Sequence, residues 1–528
     1  VSASSLEHFA ASVSRSPSAP CLIYFDTVLD YATVDELSGA LAVALSERGV
    51  GAGSRVALMT QNVPQFILAE LAVWKLGAIW VPLNPMFKSA EVEYHLTDSG
   101  ATAMVVLESL YRDVVSDVVA GTDVKAVITT SELDFLAEPL PPLLAGVRRD
   151  PPEGTEDLLA LTRRYAGRTP PPHHPAPGDV AVLSYTSGTT GRPKGAMNTH
   201  RNLAFIAELW RSWARVDDRD VVAALAPLFH IIGPTAITGV AFAAGAPIVL
   251  TYRFDPATIL GALERHRGTF TLASITAFRA LMACPDIGTR DLTAFTKVFS
   301  GGAPVPPATV EQWQELAGGY IHNCYGLTET TSPTHMVPFG GRAPVDEGTG
   351  ALSIGVPVPD TDVRVVDPDT RQDVPVGEVG EFWIRGEGVV PGYWQRPEAT
   401  AEAIVDGGYL RTGDVGKRDA DGWFYLLDRS KDMIIASGFK VWPREVEDVL
   451  YQHPAVHEAA VVGLPDEYRG ETVKAFVSLR AGASAEPAEL VEFCRERLAA
   501  YKCPRTIEIL PEIPKTATGK VLRRELRA

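Results

Sequence analysis

RVALMTQNVPQFILAELAVWKLGAIWVPLN, residues 55–84, decides the fold class. A short apolar run, RVALM, gives way to a segment whose apolar residues recur at helical spacing, and AIWVP then supplies a second apolar run. Two buried strands joined by one helix make a βαβ crossover, the unit from which parallel sheets are built. KSAEVEYHLTDSG (88–100) and ATAMVVL (101–107) continue the alternation as helix and strand, and it recurs through roughly the first 400 residues. The expected class is α/β, with mostly parallel sheets sandwiched by helices.

A chain of 528 residues exceeds one hydrophobic core, so two or more domains are expected. Hydrophobic residues make up 46% and charged residues 21%, which is ordinary globular composition. With 48 basic and 65 acidic residues the net charge is -17, which argues against nucleic acid or an anionic membrane as a partner. Cys21, Cys284, Cys324, Cys494 and Cys503 are scattered, without a CxxC pair. That pattern fits neither a disulfide framework nor a zinc site and suits a reducing cytoplasm. VSASSLEHFAASVSRSPS (1–18) has no long apolar run, so no secretory signal is expected. Val221–Tyr252 contains no Asp, Glu, Lys or Arg, yet Pro227, Pro234 and Pro247 with Gly233, Gly239 and Gly245 divide it. It reads as a buried strand–helix–strand unit and not as an integral membrane segment.

TPPPHHPAPGD (169–179) reads as a stiff surface linker. From about residue 350, short strands with Pro, Gly and Asp turns (IGVPVPDTDVRVVDPDT, GEVGEFWIRG, GWFYLLDR) indicate a β-rich subdomain. After Arg429, a helix in REVEDVLYQHPAV, strands in HEAAVVGLPD and TVKAFVSLR and a helix in EPAELVEFCRERLAAY indicate a compact α+β domain.

SYTSGTTGRPKGAMNTH (184–200) carries the first chemistry. A Walker A loop is excluded, because Lys194 follows Pro193 and precedes Gly195 instead of standing between Gly and Ser or Thr. The ingredients of an anion nest remain: Gly188 and Gly191 free the backbone, Thr186, Ser187, Thr189 and Thr190 offer hydroxyls, and Lys194 adds charge. Taken alone, the same composition also suits a surface turn.

YTSGTTGRPKGA resembles the phosphate loop of the adenylate-forming superfamily, which comprises acyl-CoA synthetases, luciferases and peptide-synthetase adenylation domains. NCYGLTET (323–330), YLRTGD (409–414), DRSKDMIIASGFKVWPREVE (428–447) and PKTATGK (514–520) resemble four further motifs of that superfamily, in its order. The resemblance implies an N-terminal adenylation domain over 1–429, binding acid and ATP, and a mobile C-terminal domain over 430–528 carrying a catalytic lysine. It also implies ATP, Mg²⁺ and CoA, with a small carboxylic acid as the substrate.

Residue by residue, the resemblance places Thr186, Ser187, Gly188, Thr189, Thr190, Gly191 and Lys194 over the β- and γ-phosphates. It puts Glu329 on Mg²⁺, with Thr186 as a further ligand, and Thr328 on the α-phosphate. Tyr325, with Gly326 beside it, stacks on adenine, and Gly302, Ala303 and Pro304 of SGGAP form the adenine edge. Asp414 takes the ribose hydroxyls with help from Arg429, and Lys520 stabilises the adenylation transition state. Lys431 is the hinge, and Gly438 lines the pantetheine tunnel. By composition alone, YGLTE is a helix start, TGD a turn and Lys520 a solvated lysine; the order of the motifs overturns those readings.

Amino-acid-activating relatives carry an aspartate just after a phenylalanine where this chain has PLFHIIG (227–233), with His230 after Phe229. A neutral residue there resembles acyl- and aryl-CoA synthetases, although His230 also reads as an ordinary core histidine. Small residues nearby (Gly233, Ala236, Gly239, Gly301, Gly302) suggest room for a medium or long chain or a bulky ring. The segment 498–526 most resembles fatty acyl-CoA ligases. The expectation is therefore an AMP-forming acid–CoA ligase. The alternatives are a stand-alone adenylating enzyme passing its acyl group to a carrier protein or amine, and a binding protein without catalysis.

Overall fold

The computed structural model describes residues 4–137, 139–186, 192–429, 432–436, 439–466, 470–516 and 520–527, with the side chains of 429, 439 and 440 also outside the description. The stretch 55–84 forms the expected crossover: strand Arg55–Met59, helix Pro64–Lys75 and strand Ile79–Pro82, with the two strands parallel. Every residue of the helix from Pro64 to Trp74 is buried. A helix buried on every side must sit inside a larger body, and this one shares a core with two sheets. Pro64 at its first position needs no hydrogen-bond partner for a missing N–H.

One sheet has seven strands, in the order Glu156–Asp157, Ala126–Thr130, Ala103–Leu107, Arg55–Met59, Ile79–Pro82, Val180–Thr186 and Lys194–Thr199. All neighbours are parallel except the last pair. A nine-stranded sheet is parallel from Ile321–Tyr325 through Lys297–Ser300, Phe270–Ala273, Val222–Ala223 and Ile248–Leu250 to Pro20–Tyr24, with antiparallel strands at both ends. Helices Tyr31–Glu47, Pro64–Lys75, His200–Trp213 and Thr238–Ala244 share one apolar core with both sheets, which includes Trp74, Trp80, Trp210 and Phe242. Asp30 and Thr199 cap two of these helices, accepting from Thr33 and Asn202 backbone N–H groups.

The β-rich subdomain is an antiparallel five-stranded sheet, whose long strand Tyr409–Arg418 pairs with Gly380–Gly386 and Phe424–Arg429. The C-terminal unit has its own five-stranded sheet and its own core, packed by helices Pro443–Leu450 and Pro487–Arg495. Val221–Tyr252 is broken into a strand, a wide helical turn at Gly233–Ile237, helix Thr238–Ala244 and a strand. Among the described residues no helix is long and apolar enough to cross a membrane. The linker 169–179 runs over the surface with most of its residues exposed. His173 packs over Gly77, where a Cβ would lie 2.0 Å from its Nε2 and where φ is +65°.

One buried group sits uneasily in this core. Glu70 has zero exposure. Its Oε1 accepts from the Thr238 hydroxyl at 3.2 Å, and Oε2 has no hydrogen-bond partner among the described residues. Burial pushes its pKa from the ordinary 4.5 to about 8. The folded chain therefore holds a proton that the unfolded chain releases as pH rises through 4.5, so stability falls between that pH and about 8. Glu70→Gln is expected to raise the melting temperature increasingly from pH 5 to pH 8 relative to the parent, with the smallest gain at the acid end. Calorimetry at three pH values checks the slope.

Candidate active site

Strand Lys194–Thr199 turns back along Val180–Thr186 and sets Thr186 opposite Lys194. The predicted phosphate loop is thus the tip of a hairpin at the sheet edge; Ser187, Gly188, Thr189, Thr190 and Gly191 themselves lie outside the described residues. The base of the tip is pinned by helix Ser89–Ser99. Tyr94 donates its hydroxyl to the Pro193 carbonyl at 2.6 Å, and Tyr185 donates to Asp98 Oδ2 at 2.8 Å.

The outer edge of that hairpin is covered by residues 391–394, with Met197 N–H donating to Gly392 O at 3.0 Å and Trp394 N–H to Gly195 O at 2.8 Å. Tyr393 is thereby laid beside the loop. The Lys194 ammonium lies 5.3 Å from its ring centre, and its hydroxyl donates to Glu329 Oε1 at 2.8 Å. Asn198, on the same strand, donates to the Thr328 carbonyl and the Thr331 hydroxyl, each at 3.0 Å. Two motifs 130 residues apart are therefore locked together.

Gly326 permits the turn that carries Thr328 and Glu329, since a Cβ there would meet Pro333 Cα at 2.8 Å. Thr331 and Ser332 both take positive φ, 55° and 50°, so strain is concentrated next to the predicted metal and phosphate ligands. Tyr325 is buried against Phe382 and His335 and donates its hydroxyl to Asp414 Oδ2 at 2.6 Å. The predicted adenine and ribose residues thus meet. Asp414 stands opposite Arg429 in the antiparallel register. Gly302 is exposed at φ +79° with open space around it, beside Ala303 and Pro304 at the end of strand Lys297–Ser300.

His230 follows the turn closed by its own N–H on Pro227 O. Its Nδ1 accepts from the Ile232 N–H at 3.3 Å, which fixes the proton of the neutral ring on Nε2. Burial, and then the positive charge of Lys520, lower its pKa to about 4. The lysine of the C-terminal motif, itself exposed, is near enough for its charge to be felt at His230. Its own loop is closed by the Lys515–Val521 bridge and by a hydrogen bond from Thr516 N–H to Lys520 O at 2.8 Å. Lys431 and Gly438 lie outside the described residues.

Three of the small residues near His230 also meet close contacts. A Cβ on Gly233 would lie 2.1 Å from Leu228 O, and one on Gly239 would lie 2.5 Å from Pro234 O. A Cβ on Gly301 would lie 2.8 Å from Cys324 Sγ. A side chain at any of these three positions would therefore press on its neighbours. Tyr393 and Asn198 escaped the sequence reading. PGYWQRP (391–397), two aromatics after Pro-Gly, is the trace that Tyr393 leaves; an asparagine inside a strand leaves none.

Among the described residues no cluster of three or more His, Cys, Asp or Glu suits a metal ion. A single carboxylate, Glu329, beside Thr186 and a phosphate loop fits an ion held mainly by nucleotide phosphates and water, as Mg²⁺ prefers.

The charge coupling at His230 has a measurable consequence. Its imidazole is expected to titrate well below the usual range in the intact protein, and Lys520→Ala is expected to raise that value. Histidine-labelled NMR, assigned with His230→Phe, reads both.

Residues 9–394 match the AMP-binding enzyme family, and residues 445–520 match the AMP-binding enzyme C-terminal domain. A long-chain-fatty-acid–CoA ligase of Bacillus subtilis (strain 168) is 35% identical over 98% of this chain and 92% of its own length. A feruloyl-CoA synthase of an Amycolatopsis species is 36% identical over 97% and 96%. Among solved structures, an anthranilate CoA ligase in complex with anthranoyl-AMP superposes with a TM-score of 0.90 at 28% identity, over 99% of this chain and 96% of that one. An amide bond synthetase from Marinactinospora thermotolerans gives 0.83 at 28% identity, over 99% of both chains. With the Lys194–Tyr393–Glu329 contacts and the buried Tyr325–Asp414 pair in that frame, this chain belongs to the AMP-binding enzymes.

Proposed function

We propose that this chain is an ATP-dependent carboxylic acid–CoA ligase. In the first step a carboxylate oxygen of the acid attacks the α-phosphorus of ATP and expels pyrophosphate, leaving an acyl-adenylate. In the second, the CoA sulfur attacks the acyl carbonyl and AMP departs. The observation that carries the reading is the locking of the Lys194 strand to the Thr328–Glu329 turn through Asn198 and Tyr393, because two anions meet in the first step and charge-neutralising groups are needed around them.

Each group has a task set by its surroundings. Lys194 and the loop residues Thr186–Gly191 hold the outer phosphates, and Thr328 donates to the α-phosphate. Tyr325 and the edge Gly302–Pro304 receive adenine, while Asp414 and Arg429 hold the ribose. Glu329, steadied by Tyr393, would hold Mg²⁺ with Thr186 nearby; when bound, the ion neutralises phosphate charge. His230, kept neutral by burial, lines the acid's end of the site without drawing the substrate carboxylate into an ion pair. Lys431 serves as the hinge between units 1–429 and 430–528, and Gly438 makes way for the pantetheine arm. With the five cysteines unpaired, a reducing cytoplasm is the proposed compartment.

The acid is proposed to be apolar, either a medium or long fatty acid or a bulky aryl acid. The relatives named above include both kinds. Likeness to an amide bond synthetase favours a second reading, in which an amine or a carrier protein takes the acyl group. Mass spectrometry of products from acetate, long-chain fatty and aryl acids, with and without CoA, separates these readings. Acyl-CoA with a long-chain or aryl acid is expected. Pyrophosphate release without thioester would favour the second reading, and no release with any acid would indicate binding without catalysis.

Lys520→Ala is expected to lower acid-dependent ATP–pyrophosphate exchange by about 100-fold or more, the scale of losing a charge-stabilising group. Thioester formation from supplied acyl-adenylate is expected to persist. Equal loss of both would remove Lys520 from its assigned step.

A further inference from the structure

The C-terminal unit carries Lys520, so whatever fixes that unit on the N-terminal domain also fixes the lysine. Helix Pro443–Leu450 is the element through which it is held. Its N-cap residue, Trp442, offers no side-chain acceptor. The acceptor comes instead from the N-terminal domain: Asp428 Oδ2 takes the Arg444 backbone N–H at 3.2 Å. The other carboxylate oxygen faces Arg523 Nη1 at 3.4 Å, and the second arm of Arg523 is held by Glu447 at 2.8 and 3.0 Å. Arg444 itself donates to the Leu426 carbonyl at 2.7 Å.

The other end of the same helix meets a cation. Tyr451 is its C-cap residue, and the Arg279 guanidinium of helix Ile275–Met282 stacks 4.1 Å from the tyrosine ring centre. Arg279 is anchored from behind by a hydrogen bond to Thr309 Oγ1 at 3.2 Å. A carboxylate at the positive pole of a helix and a guanidinium at its negative pole both favour one placement of that helix. Both groups belong to the N-terminal domain, and both partners belong to the unit that carries Lys520.

We propose that Asp428 and Arg279 are positioning residues that grip helix Pro443–Leu450 at opposite poles and hold the C-terminal unit where Lys520 serves adenylation. They act on Lys520 through the helix. The thioester step does not use Lys520, so it does not need this grip. The proposal rests on the two-step ligase reading above.

The test measures the two half-reactions separately on the full chain: acid-dependent ATP–pyrophosphate exchange, and thioester formation from supplied acyl-adenylate and CoA. Asp428→Asn and Arg279→Gln are each expected to lower exchange by about tenfold, corresponding to about 1.4 kcal/mol, while the second half-reaction stays within about twofold. Arg279→Lys, which keeps a cation over Tyr451, is expected to recover most of the exchange. In both deleterious variants the His230 pKa is expected to rise toward its value in Lys520→Ala, because the lysine has withdrawn. An equal fall in both half-reactions, or none in either, overturns the grip. The two sites lie on different elements, so a variant that fails to fold leaves the other to decide. Absence of both half-reactions in the parent protein would overturn the ligase reading instead.

Discussion

The reversal of one strand is the constraint on which the site depends. Six strands of the seven-stranded sheet run parallel, and Lys194–Thr199 alone runs back. A parallel neighbour would have needed a helical crossover and would have carried the chain away from Thr186. The hairpin instead returns Lys194 to the end of the strand that delivers the loop. It also creates a sheet edge, which would be an open row of hydrogen-bonding groups without a cover. Residues 391–394 provide that cover, and doing so sets Tyr393 against Glu329. Closing an edge and steadying a predicted metal ligand are thus the same contact.

Burial then sorts the ionisable groups by whether they have partners. Asp428, Glu447 and Arg523 lie deep in the interface and form a hydrogen-bonded set of opposite charges. Glu70 and His230 lack an opposite charge, and both shift toward their neutral forms. For His230 the neutral form is useful, because a cationic ring would attract the substrate carboxylate away from the phosphorus it must attack. For Glu70 neutrality only limits the cost of its position between helices.

The fold was legible in stretches such as 55–84, where strand and helix periodicities alternate without interruption. The chemistry was legible wherever glycine, hydroxyl and charged residues fall at motif spacing, and the structure brings Lys194, Glu329 and Asp414 into one region from three distant segments. Three things were not legible. The contacts of Gly233 and Gly239 with the Leu228 and Pro234 carbonyls are one, because sequence cannot tell an open glycine from one pressed against a carbonyl. Asn198 and Tyr393 work across contacts of 130 and 64 residues, which no local pattern records. Asp428 was read within the hinge motif, yet its role depends on the start of a helix whose own cap position holds tryptophan.

A lysine that arrives on a separate unit changes what the site can do in sequence. The first step gathers negative charge where carboxylate meets phosphate, and a cation there lowers the barrier. The second step brings a sulfur nucleophile to an acyl carbonyl whose leaving group, AMP, is already stable as an anion, so the same cation adds little. A fixed lysine would also obstruct the approach of the thiol. Carrying it on a unit whose helix Pro443–Leu450 is gripped at its two poles makes its presence conditional, and the contacts that confer that condition touch neither nucleotide nor acid. Selectivity for the acid and timing of the lysine are therefore held by different residues, so either is open to change without the other.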